Sequence, residues 1–106
     1  MTAGYVLSIM LSPKIILLMS ITICTLNTKG LGNKQKRSQV FKYLEDKSYD
    51  IIFLQETHSN PITNQTWRNE WEGNSYFSGQ NSNKEGVAIL VNKYSNVTCL
   101  NSIEII

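Results

Sequence analysis

The chain contains one histidine, two cysteines and two prolines in 106 residues, and only 17% of its residues are charged. Scarce histidine and cysteine exclude the clustered patterns of structural metal sites. Cys24 and Cys99 lie far apart, match no metal-ligand spacing and sit in apolar stretches, so they read as buried free thiols of a reducing compartment. A disulfide between them stays geometrically open. The single histidine, His58, lies in a polar loop segment and reads as exposed and without a role. No repeat, low-complexity tract or linker divides the chain, and 42% hydrophobic residues is globular composition rather than disorder. The length gives room for one small domain.

A long uninterrupted apolar run is also missing. Tyr5 to Leu26 is largely apolar, but Pro13 and Lys14 break it, whereas a spanning helix needs ~20 apolar residues in succession. Ile15–Ile23 has the character of a secretory-signal core, yet its basic residue comes late and no small-x-small cleavage site follows. The expectation is a strand near Ser20–Leu26, preceded by a leader over residues 1–19, with one domain over 20–106. No stable membrane association and no specific protein partner are expected, and the location is nuclear or cytoplasmic.

Ten Lys and Arg against eight Asp and Glu leave a net charge of +2, too mild to imply a polyanionic partner. Its distribution is less even. Lys29, Lys34, Lys36, Arg37 and Lys42 fall between positions 29 and 42 with no acid among them. Such a segment either attracts phosphates or is a solvated helix face.

The β-branched run Ser20–Leu26 reads as a strand and Asn27–Asn33 (NTKGLGN) as a turn. Asn33 is placed to cap a helix running to Lys47, in which Val40, Phe41 and Leu44 form the apolar stripe while the lysines and Arg37 face outward. Asp50–Leu54 is a second strand, Thr63–Trp71 a short helix with Trp67 and Trp71 on one face, and Ser75–Ser78 a third strand. Gly86–Asn92 reads as a strand buried on both faces, and Val97–Ile106 as a further strand.

Strand, helix, strand in that order predicts a right-handed parallel crossover. Asn27 and Glu56 then end two parallel strands at one edge of the sheet, where α/β folds place their sites. Asp50 begins its strand and lies about 20 Å from Glu56 at ~3.3 Å per residue, too far to share an ion with it. Glu56 is either a strand-end charge or an Mg²⁺ ligand, since Mg²⁺ accepts one or two carboxylates and completes its shell with water and phosphate. Asn27 either stabilises the turn before Lys29 or presents its amide to a phosphate or bound water.

The segments ITICTLNTKGLGNKQKR, FKYLEDKSYDIIFLQETH and KEGVAILVNK, in that order, resemble the endonuclease/exonuclease/phosphatase superfamily. The nearest resemblance is to the endonuclease domain of LINE-type retrotransposons, and more distantly to exonuclease III and the apurinic endonucleases of DNA repair. This implies the N-terminal portion of a four-layer α/β sandwich of the DNase I-like type, in which two sheets are flanked by helices. It implies Mg²⁺-dependent (or Mn²⁺-dependent) hydrolysis of DNA phosphodiesters, with Glu56 as metal ligand and Asn27 as its catalytic companion. Gln55 would support Glu56, and Lys29, Lys34, Lys36 and Arg37 would hold DNA phosphates. A tyrosine, an Asp–Asn pair and an Asp–His pair that such enzymes also use have no counterpart in these residues, so the chain is expected to be an inactive fragment. A phosphomonoesterase or phosphoinositide phosphatase of the same superfamily is the alternative, and a small anchored or secreted non-enzyme is a second.

Overall fold

A cap, a proline and alternating apolar residues set most element boundaries in the computed structural model, which describes residues 4–10, 21–81 and 85–105. In chain order the elements are β1 (Gly4–Met10), β2 (Ile23–Asn27), α1 (Lys34–Lys47), β3 (Ile51–Gln55), α2 (Pro61–Trp67), β4 (Asn74–Ser78), β5 (Val87–Val91) and β6 (Thr98–Ile105). Four strands form a mixed sheet in the order β2-β3-β5-β4, and β1 pairs antiparallel with β6 in a separate two-stranded sheet. The 1–19 segment thus contributes a strand over Gly4–Met10, which its composition alone did not suggest. Most of the signal-like run Ile15–Ile23 lies outside the described residues. Among those described, no helix is long and apolar enough to cross a membrane.

Helix α1 begins where expected, because the Asn33 side chain accepts a hydrogen bond from the Lys36 N–H at 2.9 Å and so satisfies a donor the first turn leaves free. It ends where Ser48 turns left-handed, φ 57°, and donates its N–H to the Glu45 carbonyl. Helix α2 starts and stops earlier than the tryptophan spacing implied. Asn60 accepts from the N–H groups of Ile62 and Thr63, the Thr63 hydroxyl accepts from the Asn60 N–H, and Pro61 takes the first helical position. Trp71 lies beyond the helix and donates its indole N–H to the Val91 carbonyl at 2.9 Å.

β3 is parallel to β2 and antiparallel to β5. Side chains alternate across the sheet. Ile52, Leu54, Phe77, Ala88 and Leu90 join Leu31, Phe41, Leu44, Trp67 and Trp71 in the core on the helix side. The opposite face collects Ile51, Val91 and Val97, with Phe53, Tyr76 and Ile89 only partly buried against them. β5 is therefore fully buried on one face and half-covered on the other.

Arg37 corrects the expectation of an outward-facing charge. It is 5% exposed and shares the inner stripe with Phe41 and Leu44, being four positions before Phe41 and seven before Leu44. Its guanidinium donates to both Glu70 carboxylate oxygens at 2.9 Å and to the Leu31 carbonyl at 2.9 Å, and it lies 4.8 Å over the Trp67 ring. This fork joins α1, the turn after β2 and the segment after α2. Truncating it in Arg37→Ala is expected to cost about 2–3 kcal/mol, less than a fully buried pair because Glu70 keeps some solvent. Arg37→Lys should recover little of this, since an ammonium cannot make the two-oxygen fork. Urea unfolding of the three proteins measures both effects, and a loss below about 0.5 kcal/mol in Arg37→Ala would reduce the fork to decoration.

Candidate active site

The parallel pairing sets Asn27 opposite Gln55 and Leu26 opposite Leu54, so β2 and β3 release their chains at the same edge. Pairing continues past the strands. Thr28 N–H donates to the Gln55 carbonyl at 2.9 Å, Gly30 N–H to that of Glu56 at 2.7 Å, and Leu31 N–H to that of Thr57 at 2.9 Å. The 5%-exposed Thr28 adds its hydroxyl to the carbonyls of Gln55 and Glu56 at 3.1 and 2.9 Å. The two loops are thereby laced into one unit.

Within it the Asn27 side-chain amide donates to the Glu56 carboxylate, and the Asn27 side-chain oxygen accepts the Lys29 N–H at 3.0 Å. Both residues of the pair are exposed at the sheet edge. The backbone around them is unusual. Lys29, Glu56 and His58 all adopt positive φ, at 50°, 52° and 56°, a conformation that costs a non-glycine residue of order 1–2 kcal/mol and persists only where its surroundings hold it.

The holding groups sit behind Glu56. Thr57 and Ser59 are fully buried and share a hydroxyl–hydroxyl bond of 2.8 Å, while the Thr57 N–H donates to the Gly86 carbonyl at 3.1 Å. Half-buried His58 lies against Gly30, where an added Cβ would stand 2.7 Å from Nδ1. Neither the Thr57–Ser59 pair nor the His58–Gly30 approach was anticipated. The only sequence signal for them is small or hydroxyl-bearing residues at positions with no local need for them.

The remaining site candidates separate. Lys29 and Lys34 are exposed, whereas Lys36 is half-buried with its ammonium on the turn's backbone. Arg37 points into the core, and its donors are occupied there. The Gln55 backbone carbonyl accepts from the Thr28 N–H and hydroxyl, in the turn after β2. Its side chain is exposed and, among the described residues, makes no hydrogen bond to Glu56. Asp50 is held at the other end of the sheet, accepting from the Thr22 N–H at 2.8 Å and from its hydroxyl at 3.1 Å. Cys24 is a free thiol, half-buried; the side chain of Cys99 lies outside the described residues. On the loop after β5 the Lys93 ammonium is held above its ordinary value, first by its hydrogen bond to Glu72 and then by Tyr94.

Among the described residues no group of three or more His, Cys, Asp or Glu could hold a metal. One exposed carboxylate, steadied by an amide, does not make a closed protein cage. It does match a hard cation that keeps most of its water and takes its other oxygens from a phosphate.

Comparison with known proteins places these features in a family. A model of the Endonuclease/Exonuclease/phosphatase family matches residues 24–96, more than half of the chain and all of the edge just described. The chain is also 40% identical over 60 residues to the Transposon TX1 uncharacterized 149 kDa protein of Xenopus laevis, an overlap covering 57% of this chain and 5% of that protein. The chain thus spans about a twentieth of the length of that relative. A mixed four-stranded sheet with two helices is consistent with part of a DNase I-like α/β sandwich. The chain belongs to the endonuclease/exonuclease/phosphatase family, a superfamily of nuclease- and phosphatase-type hydrolases.

Proposed function

We propose that the domain built on these residues hydrolyses DNA phosphodiesters with Mg²⁺ (or Mn²⁺) held by Glu56, in the nucleus or cytoplasm. The observation that carries the reading is the Asn27 amide on the exposed Glu56 carboxylate, at the carboxyl edge of two parallel strands. In this reading Glu56 binds the ion, and Asn27 orients the carboxylate while its own oxygen is fixed by the Lys29 N–H. When bound, Mg²⁺ supplies Lewis-acid stabilisation of charge on a phosphate oxygen. Exposed Lys29 and Lys34 meet backbone phosphates, giving a hold that weakens with salt and is indifferent to base sequence. The tyrosine and the Asp–Asn and Asp–His pairs that the family resemblance implies for water activation are not among these residues. We therefore propose negligible turnover by the 106-residue chain alone.

Manganese offers a test independent of turnover. Titrated into the chain, Mn²⁺ is expected to broaden the amide signals of Asn27–Lys29 and Gln55–Thr57 and to spare them in Glu56→Gln. Broadening centred elsewhere, or unchanged in the variant, sinks the metal assignment. For the complete domain, preference for a phosphomonoester or phosphoinositide over supercoiled DNA would move the reading to the phosphatase branch.

A further inference from the structure

Unlike the exposed Lys29, Lys34 and Lys42, half-buried Lys36 turns its charge onto backbone carbonyls. Its ammonium donates to the Thr28 carbonyl at 2.6 Å and to the Lys29 carbonyl at 3.4 Å. Its backbone N–H is held by the capping Asn33 at 2.9 Å. One residue in the first turn of α1 therefore grips the cap through its backbone and the turn after β2 through its side chain.

That turn orients Asn27. Lys29 adopts φ 50°, and from there its N–H reaches the Asn27 side-chain oxygen at 3.0 Å, leaving the Asn27 NH₂ to donate to Glu56. A left-handed lysine has no local reason to stay left-handed. Thr28 is anchored to β3 from below by its hydroxyl and its N–H. The two carbonyls of the turn accept instead from the Lys36 ammonium. A charged donor makes the stronger kind of hydrogen bond, roughly twice a neutral one.

We propose that Lys36 is a positioning residue: its ammonium locks the 28–29 turn so that the Asn27 amide stays on Glu56, and it is not a phosphate contact. The geometric claim stands on these bonds, and its catalytic meaning rests on the active-site reading above.

The test uses the intact chain, its Lys36→Met and Lys36→Arg variants, and Lys34→Met as a control. Side-chain amide protons of Asn27 are expected to exchange about tenfold faster in Lys36→Met, the loss of a charge-assisted restraint. The amides of Phe41 and Leu44 keep their protection, and Lys36→Arg restores most of the Asn27 effect. On duplex DNA, the slope of log affinity against log salt should fall by about one in Lys34→Met and stay unchanged in Lys36→Met. Unmoved Asn27 protons in Lys36→Met overturn the proposal, as does a slope that falls there as it does in Lys34→Met. Should Lys36→Met fail to fold, the unmodified chain still decides: the Lys36 ammonium protons must exchange more slowly than those of Lys29 and Lys34, and equal rates reject the lock. If no protein binds DNA, the nuclease reading fails, while the exchange data still rule on Lys36.

Discussion

Glu56→Gln is expected to lower DNA nicking by about 10³-fold in a complete domain carrying this segment, with little change in stability. The substitution keeps the shape of the side chain and an oxygen to accept the Asn27 amide, but removes the negative charge that would hold a divalent cation. Glu56 is exposed, so neutralising it leaves no buried group unpaired and the melting temperature should move by only a few degrees. The measurement is supercoiled-plasmid nicking with and without Mg²⁺, paired with thermal melts of the same preparations. Nicking within tenfold of the parent would show that the carboxylate carries none of the chemistry. The coding sequence beyond Ile106, translated in all frames, shows whether the acidic and histidine groups that the family resemblance implies follow it.

Gly86→Ala is the variant expected to damage the fold most. Gly86 sits at φ 118° just before β5, and an added Cβ would stand 2.3 Å from the Thr57 hydroxyl and 2.8 Å from that of Ser59. Both hydroxyls are fully buried and bonded to each other, so neither can swing away without losing its partner. Backbone strain and overpacking together are expected to cost about 3 kcal/mol, a large part of a small domain's stability. Because the Gly86 carbonyl also receives the Thr57 N–H, the damage should reach Glu56. Urea unfolding reads the first effect, and the Asn27 and Glu56 amide shifts at low denaturant read the second. A variant as stable as the parent would mean that the 56–59 loop has slack which its close contacts conceal.

Local chemistry was enough to place α1, because Asn33 can cap only a helix that starts directly after it, and Phe41 and Leu44 need one common face. It was also enough to bring Asn27 and Glu56 to one edge, since a strand–helix–strand unit leaves both strand ends on the same side. Arg37 turns inward against its charge because its spacing puts it on the stripe of Phe41 and Leu44. Nothing near it in the chain shows that the Glu70 carboxylate and the Trp67 face supply its partners. Helix α2 departs from the tryptophan spacing at both ends for a related reason: Asn60 and Pro61 set its start, and Trp71 lies outside it, bonded to the Val91 carbonyl.

The periodic and capping features, and the pair of polar residues ending two strands, are legible in the residue order because they depend on neighbours within a few positions. Which way each charge turns is settled by the folded chain, where Lys36 grips a carbonyl while Lys34 meets solvent, and where Thr57, Ser59 and Gly86 pack together behind Glu56. Those outcomes turn on partners distant in the chain, brought within hydrogen-bond reach only when the sheet closes, and a buried polar group must find such a partner or lose the energy of its hydration.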